Sequence, residues 1–300
     1  MNVSETLQAA INAVLPDSNP TQGSDVEILM RGNRRGRDGA VTAIAFRDRR
    51  PIAVVKLSRI RENDVVRNEY ANMARVREML APRNESPLPP KFVLLETGTE
   101  SALVVAYVPG IPLSSLLSHT NPLSTRKALT IGLRVSVFLK DFHRFVTAAG
   151  PLINPSSETT AGLSIGAIHG DTLCRNFLML ENGNLCLLDW QDFSARQIQV
   201  IDLIIFLVDL ASWTTRRNAN LIHELCLPSG HLNGFASEVL AAYDPRLTES
   251  TCFRAAFDAY LGYAGAKISE TSDSDMRSRY QEMASDFDKH RARISFARRW

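Results

Sequence analysis

The stretch that decides the fold is residues 167–193, AIHGDTLCRNFLMLENGNLCLLDWQDF. Its apolar run Leu185–Leu188 predicts a short buried strand. The turn residues Asn182 and Gly183 separate this run from the segment Asn176–Leu180. Two short apolar segments on either side of an Asn-Gly pair are typical of a β-hairpin, so we expect the chain to reverse direction here.

Three polar side chains flank this hairpin, and together they suit the transfer of a phosphoryl group. The hairpin is predicted to bring Asn176 and Asp189 to one end, and Asp171 lies on the loop just before it. Phosphoryl transfer depends mainly on positioning and on charge neutralisation. Asp189 offers a carboxylate and Asn176 a neutral oxygen to Mg²⁺, which prefers oxygen ligands. Asp171 can accept the proton of an attacking hydroxyl group.

The order of these residues resembles that of a known family. The pattern H-G-D-x-x-x-x-N begins at His169 and is followed by D-W at Asp189 and Trp190. It resembles the aminoglycoside phosphotransferase and choline kinase-like family, small-molecule relatives of the protein kinases, whose own loop contains H-R-D-x-x-x-x-N. The resemblance extends over roughly residues 25–210. An ordinary hairpin with polar surface residues is the alternative interpretation of so short a motif.

The resemblance implies an α+β, two-lobed protein-kinase-like fold, with a small antiparallel sheet in the N-terminal lobe and a mainly helical C-terminal lobe. Residues 1–22 are expected to form an N-terminal helix that packs on the first lobe. Residues 23–108 would be the nucleotide-binding lobe, and residues 109–300 the helical lobe with the catalytic loop and the acceptor site.

The activity implied by the resemblance is an ATP- and Mg²⁺-dependent transfer of the γ-phosphoryl group to a hydroxyl of a small-molecule acceptor. Asp171 would be the catalytic base, and Asn176 and Asp189 the metal ligands. A non-catalytic nucleotide-binding or scaffold protein is the alternative, favoured by Gln191, where the family usually has an acidic residue. A protein kinase is disfavoured because no A-P-E segment follows Asp189.

Lys56 lies inside the Val-rich segment PIAVVKL, which predicts a strand. An unpaired buried ammonium group is costly, so Lys56 implies a partner. The resemblance implies a glutamate on the following helix; Glu69 is our choice, and Glu62 and Glu78 are the alternatives. The resemblance implies that Lys56 also contacts the α- and β-phosphates of ATP. A strand-edge lysine whose head reaches water is the other interpretation.

Two backbone segments are predicted to bind the nucleotide. In residues 31–39, RGNRRGRDG, the glycines Gly32 and Gly36 allow a close backbone approach to phosphates. A solvated, arginine-rich hairpin tip is the other interpretation of this loosely matching segment. The resemblance further implies a hinge in which backbone groups of Ala106 and Val108 bind the adenine edge.

Two further residues are assigned structural roles. His143 lies near the end of a predicted helix, Ile131–Phe145, and is interpreted as a structural histidine. By resemblance, Asp202 would anchor the catalytic-loop backbone from the helix that follows it. We expect residues 211–300 to be helical. The resemblance implies that this region and the helices before the loop build the acceptor pocket.

Composition excludes several classes of protein. Hydrophobic residues make up 45% of the 300 residues, charged residues 22%, and the net charge is +2. These values predict a soluble globular protein with no nucleic-acid or membrane partner. We see no signal-peptide pattern, and the four cysteines have no zinc-site spacing, so a cytoplasmic protein with reduced thiols is expected. The sequence identifies neither the acceptor nor the oligomeric state.

Overall fold

The computed structural model describes residues 7, 10, 11, 13, 14, 26–31, 40–59, 64–81, 87–96, 100–117, 125–149, 162–215, 220–269 and 274–296. The predicted nucleotide-binding residues Gly32 and Gly36 lie outside the described residues. Glu62, one alternative partner of Lys56, lies outside them as well.

Contacts between residues divide the chain into two units. One contains residues 1–110 and 180–192, and the other contains residues 111–179 and 193–300. The first is built on an antiparallel sheet and the second mainly on helices, so the fold class is α+β, as predicted. The first unit ends at Gly110, whereas the sequence interpretation ended the first lobe at residue 108.

Among the described residues, the sheet of the first unit has five strands in the order β1, β2, β3, β5, β4, and all neighbouring pairs are antiparallel. Their bounds are β1 (Glu27–Arg31), β2 (Val41–Arg47), β3 (Arg50–Arg59), β4 (Phe92–Glu96) and β5 (Glu100–Ala106). Lys56 of the central strand β3 lies opposite Thr42 on one side and Leu103 on the other. Lys56 is therefore a mid-sheet residue, and the interpretation of a strand-edge lysine was wrong.

The sheet packs against residues near the N-terminus. Residues 7, 10, 11, 13 and 14 are helical, and Ala10, Ile11 and Val14 belong to one buried apolar cluster with Val55 and Val104 of the sheet. Burial of this apolar face stabilises the helix, because a short isolated helix is marginal in water.

One helix of the first unit, α1 (Val65–Leu80), carries Glu69 towards the interior. The helix begins after Asp64, whose carboxylate caps it by accepting a hydrogen bond from the amide of Val66 at 3.0 Å. Its buried residues recur every three or four positions, as expected for one helical face: Val66, Glu69, Met73, Val76 and Leu80. Glu69 is the acidic residue on that apolar face, so its carboxylate needs a buried partner.

Residues 180–192, including β9 (Leu185–Leu187), group with the first unit, although the sequence interpretation placed them in the helical lobe. The predicted chain reversal is confirmed: the amide of Leu180 donates to the carbonyl of Asn184 at 2.9 Å, and Gly183 adopts φ 81°. The amide of Leu187 then donates to the carbonyl of Pro87 at 2.7 Å. This long-range hydrogen bond joins β9 to residues distant in sequence.

The second unit consists mainly of helices. Its elements are β6 (Ile111–Pro112), α2 (Leu113–Leu116), α3 (Thr125–Ala149), β7 (Ile165–Ile168), β8 (Phe177–Met179), β10 (Ser194–Ile198), α4 (Val200–Thr214), α5 (Leu221–Cys226), α6 (Asn233–Tyr243), α7 (Ser250–Ser269) and α8 (Ser274–His290). Strand β7 pairs with β10, and the motif that begins at His169 follows β7 directly. Helix α4 is buried along most of its length. Across the described part of the chain, no helix is both long and apolar enough to cross a bilayer.

The packing of the N-terminal helix can be tested with Ile11→Ala. Ile11 is fully buried, so the substitution is expected to lower the free energy of unfolding by about 2–5 kcal/mol through loss of contacts and formation of a cavity. Urea denaturation followed by circular dichroism measures the change. Ile28→Ala, at a 42% exposed position of β1, is the matched control and should stay within about 0.5 kcal/mol of the wild type. Similar losses in both variants would contradict the packing.

Candidate active site

The first unit contains a cluster of three charged side chains centred on Lys56. Its ammonium group donates to both carboxylate oxygens of Glu69, at 2.8 and 2.7 Å, and to Oδ1 of Asp189 at 2.9 Å. The predicted Lys56–Glu69 pair is therefore present, on neighbouring β3 and α1. The contact with Asp189 was not predicted, because β9 was expected to belong to the other unit.

The electrostatics of this cluster favour a charged lysine. Burial alone would lower the pKa of Lys56, but the carboxylates of Glu69 and Asp189 outweigh it, so the net effect is a raised pKa. Glu69 is 4% exposed at its side chain, whereas Lys56 is 23% and Asp189 29% exposed. Glu69 is thus the deeply buried partner, and Asp189 is the partner that solvent reaches.

Asp189 sits in an unusual backbone conformation. Its φ is 65°, in the left-handed region that is uncommon for a residue other than glycine. The neighbouring chain is held firmly: the indole of the fully buried Trp190 donates to the carbonyl of Leu187 at 2.9 Å, and Asn72 donates to the carbonyl of Trp190 at 2.9 Å. Such strained residues persist where the surroundings over-determine them and are concentrated at functional sites.

The predicted hinge differs in one respect from expectation. The amide of Ala106 donates to the carbonyl of Lys91 and the amide of Tyr107 to the carbonyl of Ile52, both at 2.9 Å. The amide of Ala106 is therefore already paired with a backbone carbonyl and is not free to bind a ligand. Val108 lies beyond the end of β5, and its role stays a prediction.

In the second unit, the carboxylate of Asp202 holds the backbone of the loop that precedes Asp171. Its Oδ2 accepts from the amide of His169 and its Oδ1 from the amide of Gly170, both at 2.8 Å. This confirms the predicted anchoring contact. Nε2 of His143 donates to the same carboxylate at 2.9 Å, and the hydroxyl of Tyr243 lies 2.7 Å from Nδ1 of that ring. His143 is thus a structural histidine, as predicted.

Asp202 remains ionised because its donors compensate for burial. The side chain is fully buried, which by itself would raise the carboxyl pKa. The net effect of its neighbours is nevertheless a pKa below the usual value of 3.8. The largest lowering contribution is the hydrogen bond from His143, followed by the charges of His143 and His169 and the hydrogen bond from the amide of Gly170. The loop is therefore anchored by a buried carboxylate that stays charged at neutral pH.

Asp171 and Asn176 are hydrogen-bonded to each other within this loop. The Asn176 amide nitrogen donates to the backbone carbonyl of Asp171 at 2.7 Å and to its Oδ2 at 2.8 Å. With both contacts on the nitrogen, the side-chain oxygen of Asn176 is the atom it can offer to a cation. Arg175, at 3.6 Å from Oδ2 of Asp171, is a neighbour that the sequence interpretation missed, although its i,i+4 spacing was visible.

Two more residues missed by sequence reasoning touch this loop. The hydroxyl of Tyr263 donates to the carbonyl of Gly170 at 2.9 Å, and the ammonium of Lys267 donates to the same oxygen at 2.8 Å. Both side chains come from α7, far along the chain, and no short motif marks them. Their i,i+4 spacing was the available signal, but it does not say what the helix face contacts.

Cys174 lies within the motif but is unsuited to nucleophilic chemistry. It is buried, and burial together with the Asp209 carboxylate raises the pKa of its thiol well above the usual range. A protonated, inaccessible thiol is a poor nucleophile.

The described residues contain no cluster of three or more His, Cys, Asp or Glu side chains that could enclose a metal ion. Mg²⁺ does not need such a cluster, because it is usually held by one or two carboxylates, waters and substrate phosphates. The carboxylate of Asp189 and the amide oxygen of Asn176 are donors of the type that Mg²⁺ accepts. Neither the family models nor the curated proteins compared with the chain gave a match.

The loop anchor can be tested with Asp202→Asn. A neutral amide cannot replace an anion that accepts three hydrogen bonds, so the free energy of unfolding at pH 7 should fall by about 3 kcal/mol. Because the folded pKa of Asp202 is lowered, its stabilisation is present above about pH 4 and is lost as the pH falls through the folded pKa. The difference in unfolding free energy between Asp202→Asn and the wild type should therefore shrink as the pH falls below about 4.

Denaturant titrations between pH 3 and pH 7 measure this difference. Asp258→Asn, at a 41% exposed position paired with Arg291, is the control and should cost less than about 1 kcal/mol. A loss for Asp202→Asn no larger than that of the control would contradict the anchoring role.

Proposed function

We propose that this protein is an ATP- and Mg²⁺-dependent phosphotransferase with a two-lobed protein-kinase-like fold, which moves the γ-phosphoryl group to a hydroxyl of a small-molecule acceptor in the cytoplasm. One observation carries the proposal. A lysine in the middle of a five-stranded sheet is held by a buried glutamate on a helix and by an aspartate that follows a short strand. An ammonium kept charged and half-buried suits the binding of nucleotide phosphates.

The exposure of the three side chains suggests how phosphate would be bound. Lys56 has three N–H donors, and all three are directed at Glu69 and Asp189. A phosphate oxygen can bind only if one of these bonds is exchanged. The bond to Asp189 is the accessible one, because Glu69 is nearly excluded from solvent. Glu69 would then orient the lysine while Asp189 becomes available to a metal ion.

Two side chains have the chemistry expected of Mg²⁺ ligands. Asp189 supplies a carboxylate in the first unit, and Asn176 supplies an amide oxygen in the second. Mg²⁺ bound with ATP would neutralise charge that develops on the phosphates during transfer. The left-handed backbone at Asp189 supports the assignment, since strain of this kind is typically retained for function.

Asp171 is assigned as the general base. As the acceptor oxygen forms its bond to the γ-phosphorus, the bond from that phosphorus to the β-phosphate bridging oxygen breaks, and the hydroxyl proton passes to the carboxylate of Asp171. The products are ADP and the phosphorylated acceptor. Asn176 holds one carboxylate oxygen of Asp171, which limits rotation of the base.

Binding of Mg·ATP provides the first test. Lys56→Met should weaken binding at least about tenfold, a loss of about 1.4 kcal/mol, because the variant lacks the phosphate-binding cation. Glu69→Gln should act in the same direction with a smaller effect, since it only orients the lysine. Isothermal calorimetry on folded protein measures both. Lys289→Met, an exposed ion-pair lysine, is the control and should bind like the wild type. Equal affinity in all four proteins would overturn the proposed role of Lys56.

Turnover provides the second test. Asp171→Asn should bind Mg·ATP nearly as well as the wild type but consume ATP about 10²- to 10⁴-fold more slowly, the usual effect of losing a general base. ATP consumption is measured with glucose, myo-inositol, choline, homoserine and kanamycin as acceptor probes. Asp141→Asn, at an exposed position of α3, is the control and should keep full activity. Undiminished turnover in Asp171→Asn would remove that residue from the role. Nucleotide binding without turnover in the wild type would favour the non-catalytic alternative.

A further inference from the structure

The carbonyl group of Gly170, the residue directly before Asp171, receives two side-chain donors from one helix. The hydroxyl of Tyr263 lies 2.9 Å from this oxygen and the ammonium of Lys267 lies 2.8 Å from it. The two donors are four residues apart on α7, so they lie one turn apart on the same face. Their convergence on a single backbone atom is a specific contact and not a general feature of helix packing.

Gly170 is also held on its amide side. Its N–H donates to Oδ1 of Asp202 at 2.8 Å, so both polar backbone groups of this residue have side-chain partners. Its φ of 83° lies in the left-handed region, which glycine adopts without a steric penalty. The position of the next residue, Asp171, is set by the backbone that these contacts restrain.

The nature of the donors is informative. Lys267 presents a charged group to a neutral carbonyl, and hydrogen bonds with an ionised donor are shorter and stronger than neutral ones. Its ammonium also lies 4.9 Å from the centre of the Tyr263 ring, so the two donors support each other. The contact therefore resists displacement of the Gly170 carbonyl more than one neutral hydrogen bond would.

Helix α7 is also held by α8, the helix that follows it in the chain. The hydroxyl of Tyr280 on α8 donates to the carbonyl of Leu261 at 2.8 Å. Gly265 permits this approach, because a β-carbon there would lie 2.7 Å from the Tyr280 hydroxyl oxygen. The face that contacts the loop thus belongs to a pair of helices held together, which makes it a firm support.

We propose that Tyr263 and Lys267 are positioning residues for Asp171, a role that rests on the proposed function of Asp171 as the base. They fix the Gly170 carbonyl so that the carboxylate of Asp171 keeps the orientation needed to take the acceptor proton. Small displacements of a reacting group are costly in enzyme catalysis, where a shift of about 1 Å can reduce the rate by about 10²-fold. The two residues contribute to kcat without contacting the reacting atoms.

The test combines Lys267→Met, Tyr263→Phe and Lys267→Arg with a matched control. Lys140→Met removes an ammonium that donates to the carbonyl of Ala242 at 3.4 Å. Lys267→Met should lower kcat by about 10-fold or more while the KM for Mg·ATP changes less than about twofold. Tyr263→Phe should have a smaller effect in the same direction, Lys267→Arg should retain most activity, and Lys140→Met should match the wild type.

Hydrogen–deuterium exchange of the loop peptide 168–176 supplies a readout that does not depend on turnover. Exchange should be faster in Lys267→Met than in the wild type and in Lys140→Met, because the Gly170 backbone is less restrained. Equal exchange, or faster exchange with unchanged kcat, would overturn the proposal. If the wild type consumes no ATP with any acceptor, the proposed function fails on its own. The exchange measurement still tests the restraint: faster exchange in Lys267→Met supports it, and equal exchange contradicts it.

Discussion

A carboxylate that is removed from water must be surrounded by donors, and this constraint at Asp202 governs the loop that leads into Asp171. The side chain is fully buried, and the amides of His169 and Gly170 and the ring of His143 all donate to it. These contacts fix the backbone path into Asp171. This short segment without regular secondary structure thus has a defined conformation, because a donor that moves away leaves the charge of Asp202 less compensated.

The charge cluster at Lys56 meets the same constraint, but solvent reaches part of it. Asp202 is satisfied entirely by groups in the interior, whereas the Lys56 and Asp189 side chains retain 23% and 29% of their exposure. The closed network at Asp202 supports structure. The cluster at Lys56 is open to solvent, and Asp189 lies at its accessible edge in a left-handed backbone conformation. Such a cluster can exchange a protein contact for a ligand contact, as nucleotide binding would require.

Local patterns in the sequence predicted part of the site. A lysine inside an apolar strand was expected to need a partner, and the family resemblance implied a glutamate on the following helix, where Glu69 lies. Three features were not predicted. They are the grouping of residues 180–192 with the sheet, the hydrogen bond from the Ala106 amide to the Lys91 carbonyl, and the donors from α7 to Gly170. These contacts depend on how distant elements pack, and hydrophobic periodicity does not specify which face meets which neighbour.

The support that α7 gives to Gly170 bears on how modular this chain is. The recognisable motifs end near residue 210, yet the carbonyl preceding the proposed base is bound by a helix whose sequence carries no signature. The motif-bearing part is therefore not self-contained, and a truncated or transplanted version of it would lack these donors. Two chains that share every motif residue can therefore still differ at this loop, if they differ in α7.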